Sequence, residues 1–412
     1  MRITNVTAHA LSSPIEPVQA RKFHGGVRRL HKRDFVLVIV DTADGTQGIG
    51  PGGASSSAMR EFFEGASQAA FAETINTDIA PVLEGTAIDH PSEVHEVIDR
   101  VALPDQVRTQ TASSIDVALY DIFGKQQGAS VSSLLAAEHG TERTSELPLY
   151  ASAGMYMEPE GYVRQAELLE ALGFWGYKYR PGIGPDGDKA TVEQLADATD
   201  AIEILLDCHT WWKGDTAYPE DIVDDLVEHA AAHDAGWVEE PVEPDDYDGY
   251  RRLTGRGVPL AGGESEPDVD GLIALGDTGA VSYLQGDVRH HRGFTGCWQA
   301  VECCQGTDVT FVPHNFGTWL GLVANAHLVA AGPDCWLVEY PVFEDDPALA
   351  SEEDPGMYPF ELAFDLIEEE LAIEDGAFTV PDEPGLGVTL NEGVIEEYPF
   401  IDGPWTTFHP AQ

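Results

Sequence analysis

The sequence is poor in lysine, which supplies 6 of its 22 basic residues, against 72 aspartates and glutamates. The net charge of −50 repels nucleic acid and anionic membranes, and this excludes both as partners. The hydrophobic content of 43% is normal for a globular chain. We therefore predict a halophilic protein in molar salt, where screening over about 3 Å makes the self-repulsion tolerable; an acidic protein of a low-salt cell is the alternative.

Cysteine is scarce, and the sequence contains no CxxC pair. An odd number of cysteines at irregular spacing argues against a disulfide or zinc framework, so we expect reduced, buried thiols in a cytoplasmic protein. The chain also lacks an apolar run after Met1, and we predict neither a signal peptide nor a membrane span. The five cysteines are Cys208, Cys297, Cys303, Cys304 and Cys335.

The first part of the chain, residues 1–140, mixes strand and helix patterns. The stretch RDFVLVIVDTADG is rich in β-branched residues and turns at Asp44-Gly45. The stretch TASSIDVALYDIFGKQQG has helical spacing, with Ile115 on its apolar face and a stop at Gly128. These patterns predict an N-terminal α+β domain.

From Leu147 the pattern changes to short apolar runs that alternate with helical segments. The runs are LPLYAS, GYKYR, EILLDC, GWVEEP, VPLAGGE, SYLQGD, VTFVPH and CWLVE. Repeated strand–helix units predict a parallel α/β barrel over residues 141–372, with a doubly wound sheet as the structural alternative. The segment 373–412 is rich in glycine and proline and strand-like, and we expect it to return to the first domain.

Polar side chains close the second to the eighth of these runs, at intervals of 23 to 32 residues, or about one strand–helix unit. Groups that recur at this interval lie on the same rim of a barrel, and the carboxyl-terminal rim is where barrel enzymes keep their sites. In strand order from the second to the eighth, the groups are Lys178 with Arg180, Asp207 with His209, Glu239, Glu264, Asp287, His314 and Glu339.

Acidic residues dominate this predicted rim. Carboxylates that converge without a cation repel one another, and at least one of them takes up a proton. A divalent metal removes the conflict, and ligands that are all oxygen favour Mg²⁺ over zinc or copper. The alternative is that some of these acids cap the next helix or pair with arginine.

The motifs together resemble the enolase superfamily, in its mandelate racemase-like branch. This resemblance implies an α+β capping domain over a (β/α)7β barrel of the TIM type. It implies Mg²⁺ as the cofactor, with Asp207, Glu239 and Glu264 as ligands. Glu240 would not bind the metal itself but would contact a ligand from outside or form an ion pair. The motifs are SSIDVALYDIFGKQQG, YKYR, LLDCH, WVEEP, AGGE, LQGDV, VPHN, VEYP and VPDEPGLG.

The implied chemistry begins with removal of a proton next to a carboxylate. The negative charge that develops needs a cation, which Mg²⁺ and Lys178 supply. We expect His314 to act as the base and Asp287 to orient its imidazole. Glu339 resembles the family's eighth-strand glutamate, which hydrogen-bonds the substrate carboxylate or the enediolate.

Two departures from the racemases of this branch bear on the reaction. Arg180 stands where they carry a second lysine, and a guanidinium is a poor base, so we read it as an anion clamp. His209 lies two residues after Asp207, on the same side of the strand, as in the sugar-acid dehydratases of the branch. It would protonate a departing β-hydroxyl, or merely orient a ligand or water.

We therefore predict a dehydratase that converts an aldonate to a 2-keto-3-deoxy acid. Gluconate, galactonate, xylonate and arabinonate all remain open as substrates, and barrels of this branch suggest a homo-oligomer. An epimerase, racemase or cycloisomerase of the same superfamily is the alternative among enzymes. A non-catalytic, metal-stabilised protein that binds a sugar acid is the alternative outside them.

The segment RKFHGGVRRLHKR, residues 21–33, holds 6 of the 22 basic residues. The resemblance places it as a mobile loop over the barrel mouth. We expect a Gly25-Gly26 hinge to close this cationic lid on the anionic substrate, with contacts from His24, Arg28 and Arg29. A solvated loop or a subunit contact is the alternative.

The acidic composition leads to a prediction about salt. The midpoint of thermal unfolding should rise steeply from low to molar KCl, because salt screens the repulsion among 72 carboxylates. Circular dichroism during heating measures it, and refolding at both concentrations tests reversibility. Full stability in low salt would contradict the halophilic assignment.

Overall fold

The structure is a computed structural model that describes residues 1–53, 68–212, 217–344, 346–349 and 357–410. Within these ranges the strands are β1 (Ile3–Phe23), β2 (Gly26–Thr42), β3 (Gln47–Gly52), β4 (Glu146–Met155), β5 (Gly176–Arg180), β6 (Glu203–Asp207), β7 (Trp237–Glu239), β8 (Leu260–Gly262), β9 (Tyr283–Leu284), β10 (Thr310–Phe311), β11 (Val338–Pro341), β12 (Ile373–Glu374), β13 (Ala377–Thr379) and β14 (Thr406–Pro410).

The α-helices of the same ranges differ widely in length, and the longest has 23 residues. A π-helical turn (Ile75–Ile79) joins the first two, and a 3-10 turn (Pro91–Glu93) precedes the third. The helices are α1 (Gln68–Thr74), α2 (Ala80–Leu83), α3 (Val94–Ile98), α4 (Asp105–Gln127), α5 (Val131–His139), α6 (Pro159–Ala171), α7 (Pro185–Ala198), α8 (Glu220–Ala232), α9 (Tyr247–Leu253), α10 (Val269–Asp277), α11 (Gly293–Cys304), α12 (Trp319–Ala331), α13 (Leu362–Asp365) and α14 (Val394–Glu397).

An antiparallel sheet forms the N-terminal part of the molecule. β2 pairs with β1 along most of its length, and β3 and β14 pair with different parts of β2. The β-branched side chains Val36 and Val38 lie in one apolar cluster with Ile115 and Ile122 of α4. The helix stops where the sequence predicted, because Gly128 takes the left-handed conformation with φ 67°.

Glycines of β3 let α4 lie directly on this sheet. A Cβ built on Gly50 would lie 1.9 Å from the Ser114 carbonyl oxygen, and one on Gly48 would lie 2.1 Å from the Ala118 carbonyl oxygen. These two alternate positions face the helix, since side chains alternate along a strand. Any larger residue would push the helix away from the sheet.

The barrel follows as a second sheet. Among the described residues, β4 to β11 run parallel in chain order, and β11 returns to pair with β4. At the junction of β10 and β11, the Asn315 backbone N–H donates to Glu339 Oε2 at 2.8 Å. The helices α6 to α12 connect successive strands, so this is the (β/α)7β barrel that the resemblance implied. No helix in the described ranges has both the length and the apolarity to span a membrane.

Two buried aspartates of α4 tie this helix to the rest of the molecule, Asp116 to the barrel and Asp121 to β3 and the C-terminal segment. Asp116 accepts hydrogen bonds from the hydroxyl and the backbone N–H of Thr295 at the start of α11. Asp121 accepts from the Ile49 N–H of β3 at 3.1 Å and from the Leu386 N–H at 2.9 Å. Both carboxylates are satisfied by hydrogen bonds, and they fix α4 against the barrel at Asp116 and against the C-terminal segment at Asp121.

The C-terminal segment contacts both sheets. β13 pairs antiparallel with the start of β4, whereas β14 pairs antiparallel with β2. The chain after α13 therefore runs from the foot of the barrel back to the N-terminal sheet. The expected domain limits at residues 140 and 372 stay a prediction.

The cationic segment 21–33 is a β-hairpin and not the loop that we expected. Phe23 pairs with Gly26 around a two-residue turn, so the expected Gly25-Gly26 hinge lies at the hairpin tip. Residues 26–30 pair with β1 on one side and with β14 on the other. The sequence could not reveal this, because β14 lies almost at the other end of the chain.

The close contact of β3 and α4 yields a stability prediction. Gly50→Ala should lower the free energy of unfolding by about 1–3 kcal/mol, because the new methyl group overlaps the helix backbone. Guanidinium chloride unfolding at constant KCl measures the change. Gly161→Ala on α6 is the control, since the nearest atoms there belong to the flexible Met157 side chain at 3.3 Å or more. Equal stability of both variants would show that α4 adjusts freely.

Candidate functional site

Lys178 joins two buried glutamates at the centre of the barrel mouth. Its Nζ lies 2.8 Å from Glu239 Oε1 and 2.9 Å from Glu339 Oε1, and all three side chains are buried. Glu239 Oε2 accepts further hydrogen bonds from Gln285 at 2.7 Å and Trp237 at 3.2 Å. Burial raises the pKa of Glu239 to about 7 in spite of the lysine.

Asp207 lies beside Glu239, because β6 and β7 are paired at these two residues. Its Oδ1 is 2.6 Å from His209 Nδ1, and its Oδ2 is 3.2 Å from Arg180 Nε. Burial alone would raise the pKa of Asp207, but the charges of His209 and Arg180 hold it well below its usual value. The Asp-Cys-His spacing thus puts both side chains together, although β6 ends at Asp207 and His209 lies in the turn that follows.

His314 lies between two carboxylates. Its Nδ1 is 3.0 Å from Asp287 Oδ2, and its Nε2 is 2.8 Å from Glu264 Oε2. Burial alone would lower the pKa of His314, but Glu264 and the hydrogen bond to Asp287 raise it to about 10. Both ring nitrogens therefore act as donors to carboxylates in this state.

Arg289 and Asn325 hold Asp287, and sequence reasoning missed both. The Arg289 backbone N–H donates to Asp287 Oδ1 at 2.8 Å, and its Nε donates to Oδ2 at 3.0 Å. The Asn325 amide donates to Oδ1 at 3.3 Å. Burial alone would raise the pKa of Asp287, but Arg289 and His290 hold it well below its usual value. Arg289 lies two residues after Asp287, as His209 does after Asp207, and this spacing in the sequence could have identified it as a partner of Asp287.

Each carboxylate of the expected metal site is drawn towards its own cation. As a result the oxygens of Asp207, Glu239 and Glu264 do not all come within 4.8 Å of one another, although all three residues are described. Asp207 and Glu239 nevertheless end the paired strands β6 and β7, and Glu264 lies two residues beyond the neighbouring strand β8. Three hard oxygen donors on adjacent strands suit Mg²⁺, so the residues present fit the ion.

Glu240 faces away from these three acids. Its two oxygens accept hydrogen bonds from the backbone N–H of Ser265 at 3.0 Å and from its hydroxyl at 2.7 Å. The backbone turns at Glu240, where φ is 43°. Consecutive glutamates in WVEEP therefore have different tasks: Glu239 faces the barrel centre, and Glu240 holds the residue that follows Glu264.

Arginines gather at the barrel mouth around aromatic rings. The Arg180 guanidinium lies 4.6 Å from the centre of the Phe316 ring, and the Arg33 guanidinium lies 5.3 Å from the same ring. Arg28 lies 5.9 Å from the Tyr156 ring, and both hairpin arginines contact the Trp405 ring. This is a concentrated positive region on a strongly acidic chain.

The structure brings some of the expected hairpin contacts to the mouth and not others. His24 Nδ1 lies 3.0 Å from the Gly182 carbonyl oxygen, just beyond β5. Arg28 is half-buried, but Arg29 is exposed and lies on the opposite face of β2. Arg29 is therefore the weaker of the two candidates for a substrate contact, since neighbours on a strand point to opposite sides, and its predicted role stays a prediction. Arg33, which the sequence did not single out within the cluster, also lies beside the Phe316 ring of the mouth.

Family comparisons agree with this geometry. Residues 161–394 match the family described as Enolase C-terminal domain-like, and residues 10–136 match the Mandelate racemase / muconate lactonizing enzyme, N-terminal domain. The chain belongs to the enolase superfamily. Its two matched regions correspond to the barrel and to the N-terminal sheet with its helices.

Individual relatives of this superfamily member are enzymes of two kinds. The D-galactarolactone cycloisomerase of Agrobacterium fabrum is 28% identical over 416 residues, covering 98% of this chain and 100% of the relative. The L-rhamnonate dehydratase of Saccharopolyspora erythraea is 25% identical over 380 residues, covering 89% and 85%. The structure of the 3,6-anhydro-D-galactonate cycloisomerase of Zobellia galactanivorans has a TM-score of 0.77 at 25% identity, covering 97% and 99%.

The adjacent glutamates give a prediction about metal binding. Mg²⁺ should raise the midpoint of thermal unfolding, with about 2.7 kcal/mol of stabilisation at 100 times its dissociation constant. Glu239→Gln should abolish most of this gain, because it removes a proposed ligand. Glu240→Gln is the matched control and should keep it, since its partner is Ser265. Loss of the Mg²⁺ response in both variants, or in neither, would contradict the assignment.

Proposed function

We propose that the chain is a Mg²⁺-dependent sugar-acid dehydratase that converts an aldonate to a 2-keto-3-deoxy acid. The observation that carries this proposal is the pair of histidines at the barrel mouth. His314 is held by Asp287 and His209 is held by Asp207, so each imidazole has a carboxylate at its Nδ1. One histidine suits removal of the α-proton, and the other suits departure of the β-hydroxyl.

His314 is the proposed general base. The Asp287 carboxylate fixes the tautomer that carries its proton on Nδ1, which leaves Nε2 to accept the α-proton of the substrate. Arg289 and Asn325 keep Asp287 ionised and oriented. In the neutral imidazole that catalysis requires, Nε2 has left Glu264, its partner in this structure.

Lys178 is the proposed donor to the substrate carboxylate, and its partner Glu339 would have to take up a proton to donate there as well. The α-proton leaves with His314, and the electron pair of the C–H bond spreads onto the carboxylate as an enediolate. Lys178, buried at the barrel centre, donates to this negative charge. Mg²⁺, which members of this superfamily generally bind, would be held by Asp207, Glu239 and Glu264 and would add positive charge at the same carboxylate.

His209 is the proposed general acid. As the enediolate collapses, the β-carbon–oxygen bond breaks and His209 delivers a proton to the oxygen, so water leaves. The product enol then becomes the 2-keto-3-deoxy acid. Arg180 does not offer a second base on the opposite face, because its guanidinium is charged and paired with Asp207. This weighs against racemisation and epimerisation.

Cycloisomerisation is the second candidate, and the two cycloisomerase relatives favour it. Cycloisomerisation would begin with the same removal of the α-proton. The bond from the β-carbon to a ring oxygen would then break, which opens the ring without loss of water. A lactone releases a carboxylate, which leaves without a proton, whereas a hydroxyl must be protonated. Dehydration therefore requires His209 to act as an acid, whereas opening of a lactone does not.

The mouth arginines support an anionic polyol as substrate. Arg28 and Arg33 stand on the hairpin above the ring of strand ends, and Arg180 lies below them on the same aromatic cluster. A passive sugar-acid binder would need these cations but not the His314–Asp287 pair. Homo-oligomerisation and a cytoplasmic location stay predictions.

The role of His209 gives a direct test. His209→Asn should lower dehydration of the aldonate substrate by about 10²–10⁴-fold while exchange of the α-proton in D₂O continues, because the base remains. Proton NMR follows exchange, and a semicarbazide assay follows the keto acid, over a library of aldonates, aldarates and their lactones. Retained lactone opening in the variant would favour the cycloisomerase. Full dehydration would rule out His209 as the acid.

The adjacent residues Arg28 and Arg29 allow a test of substrate binding at the barrel mouth. Arg28→Ala should raise KM by about tenfold, the lower end of what a charged hydrogen bond contributes, with a smaller change in kcat. Arg29→Ala is the matched control on the exposed face of the same strand and should leave both constants unchanged. Steady-state kinetics at constant KCl measures them. An equal effect of both variants would point to bulk charge rather than to a contact.

A further inference from the structure

A separate set of metal-ligand side chains lies on the outer face of the barrel. Glu193 is on α7, His229 is on α8, and His233 is the residue that ends α8. One potential ligand atom of each lies within 4.8 Å of the other two, and no other group of three in the described ranges meets this distance. The carboxylates of the barrel mouth are not part of this set.

Helix geometry explains why the two histidines meet. Residues four apart lie on the same side of a helix, and His229 and His233 have this spacing. Their ring centres are 4.5 Å apart, with an angle of 43° between the ring planes. Two imidazoles at this spacing on one helix are a common way to bind a transition metal.

Hydrogen bonding directs the ring nitrogens. His233 Nδ1 donates to the His229 carbonyl oxygen at 2.9 Å, which fixes the tautomer and leaves a lone pair on Nε2. His229 Nε2 is buried and makes no hydrogen bond, although Glu193 Oε1 is 3.3 Å away. An ion pair between Glu193 and His229 would leave the second imidazole unexplained.

We propose that Glu193, His229 and His233 bind a transition-metal ion of the Zn²⁺, Ni²⁺ or Cu²⁺ class. Two imidazole nitrogens and one carboxylate suit these ions and not Mg²⁺, which prefers oxygen alone. The Glu193 side chain is 54% exposed, so water can complete the coordination. The high negative charge of the chain raises the local concentration of any cation.

The bound ion cross-links α7 to α8. These helices follow β5 and β6, the strands that carry Lys178 and Asp207, and Lys189 already pairs with Asp225 across the same helices. Glu193 lies about 12 Å along α7 from its start, at 1.5 Å per residue, so the ion would stabilise the barrel wall without entering the mouth.

Zinc titration of the full-length protein with saturating Mg²⁺ tests this proposal by calorimetry. The wild type should bind one more equivalent of Zn²⁺ than the double variant His229→Gln/His233→Gln. Zn²⁺ should also raise the thermal midpoint of the wild type alone. Cu²⁺ should bind most tightly and Mn²⁺ most weakly among the first-row divalent ions, and Ca²⁺ should not compete.

Single variants keep the test decisive. Glu193→Gln and His233→Gln should each weaken Zn²⁺ binding by at least about tenfold, since even residues behind a metal ligand have effects of this size. His139→Gln is the matched control, because His139 lies 3.7 Å from Glu302 with no second histidine, at similar exposure. Circular dichroism checks that each variant is folded. Equal zinc stoichiometry and affinity in the wild type and the folded variants would overturn the proposal.

Discussion

The structure of the barrel mouth depends on pairing each buried carboxylate with a cation of the same chain. Burying an unpaired charge is prohibitively costly, so these acids need partners on the side chains around them. The pairing also separates them, which limits their mutual repulsion. The partners are Arg180 and His209 for Asp207, Lys178 for Glu239 and Glu339, and His314 for Glu264.

This arrangement couples the proposed metal site to the proposed catalytic groups. His314 and His209 each touch a carboxylate that we assign to Mg²⁺, and Lys178 touches another. Mg²⁺ held by Asp207, Glu239 and Glu264 would compete with these partners for the carboxylates, which would leave His314, His209 and Lys178 available to the substrate. Under this proposal the same side chains would stabilise the mouth without the metal and serve the reaction with it.

Much of this could be predicted from strand periodicity. The spacing of Lys178, Asp207 and Glu239 follows from repeated strand–helix units, and the barrel they imply is present. The contacts of the hairpin could not be predicted, because its register depends on β14, which is distant in sequence. That register exposes Arg29 and turns Arg28 towards the mouth. The partners of Asp287 were missed for a related reason: Asn325 reaches it from the middle of the following helix.

One divalent cation should draw Asp207, Glu239 and Glu264 away from their protein partners. Anomalous diffraction from crystals grown with Mn²⁺ in place of Mg²⁺ examines it most directly. The account predicts a strong peak at the barrel mouth bound by oxygens of Asp207, Glu239 and Glu264, with His314 no longer paired to Glu264. A mouth without a peak, or a peak that leaves these carboxylates on Lys178, Arg180 and His314, would contradict it.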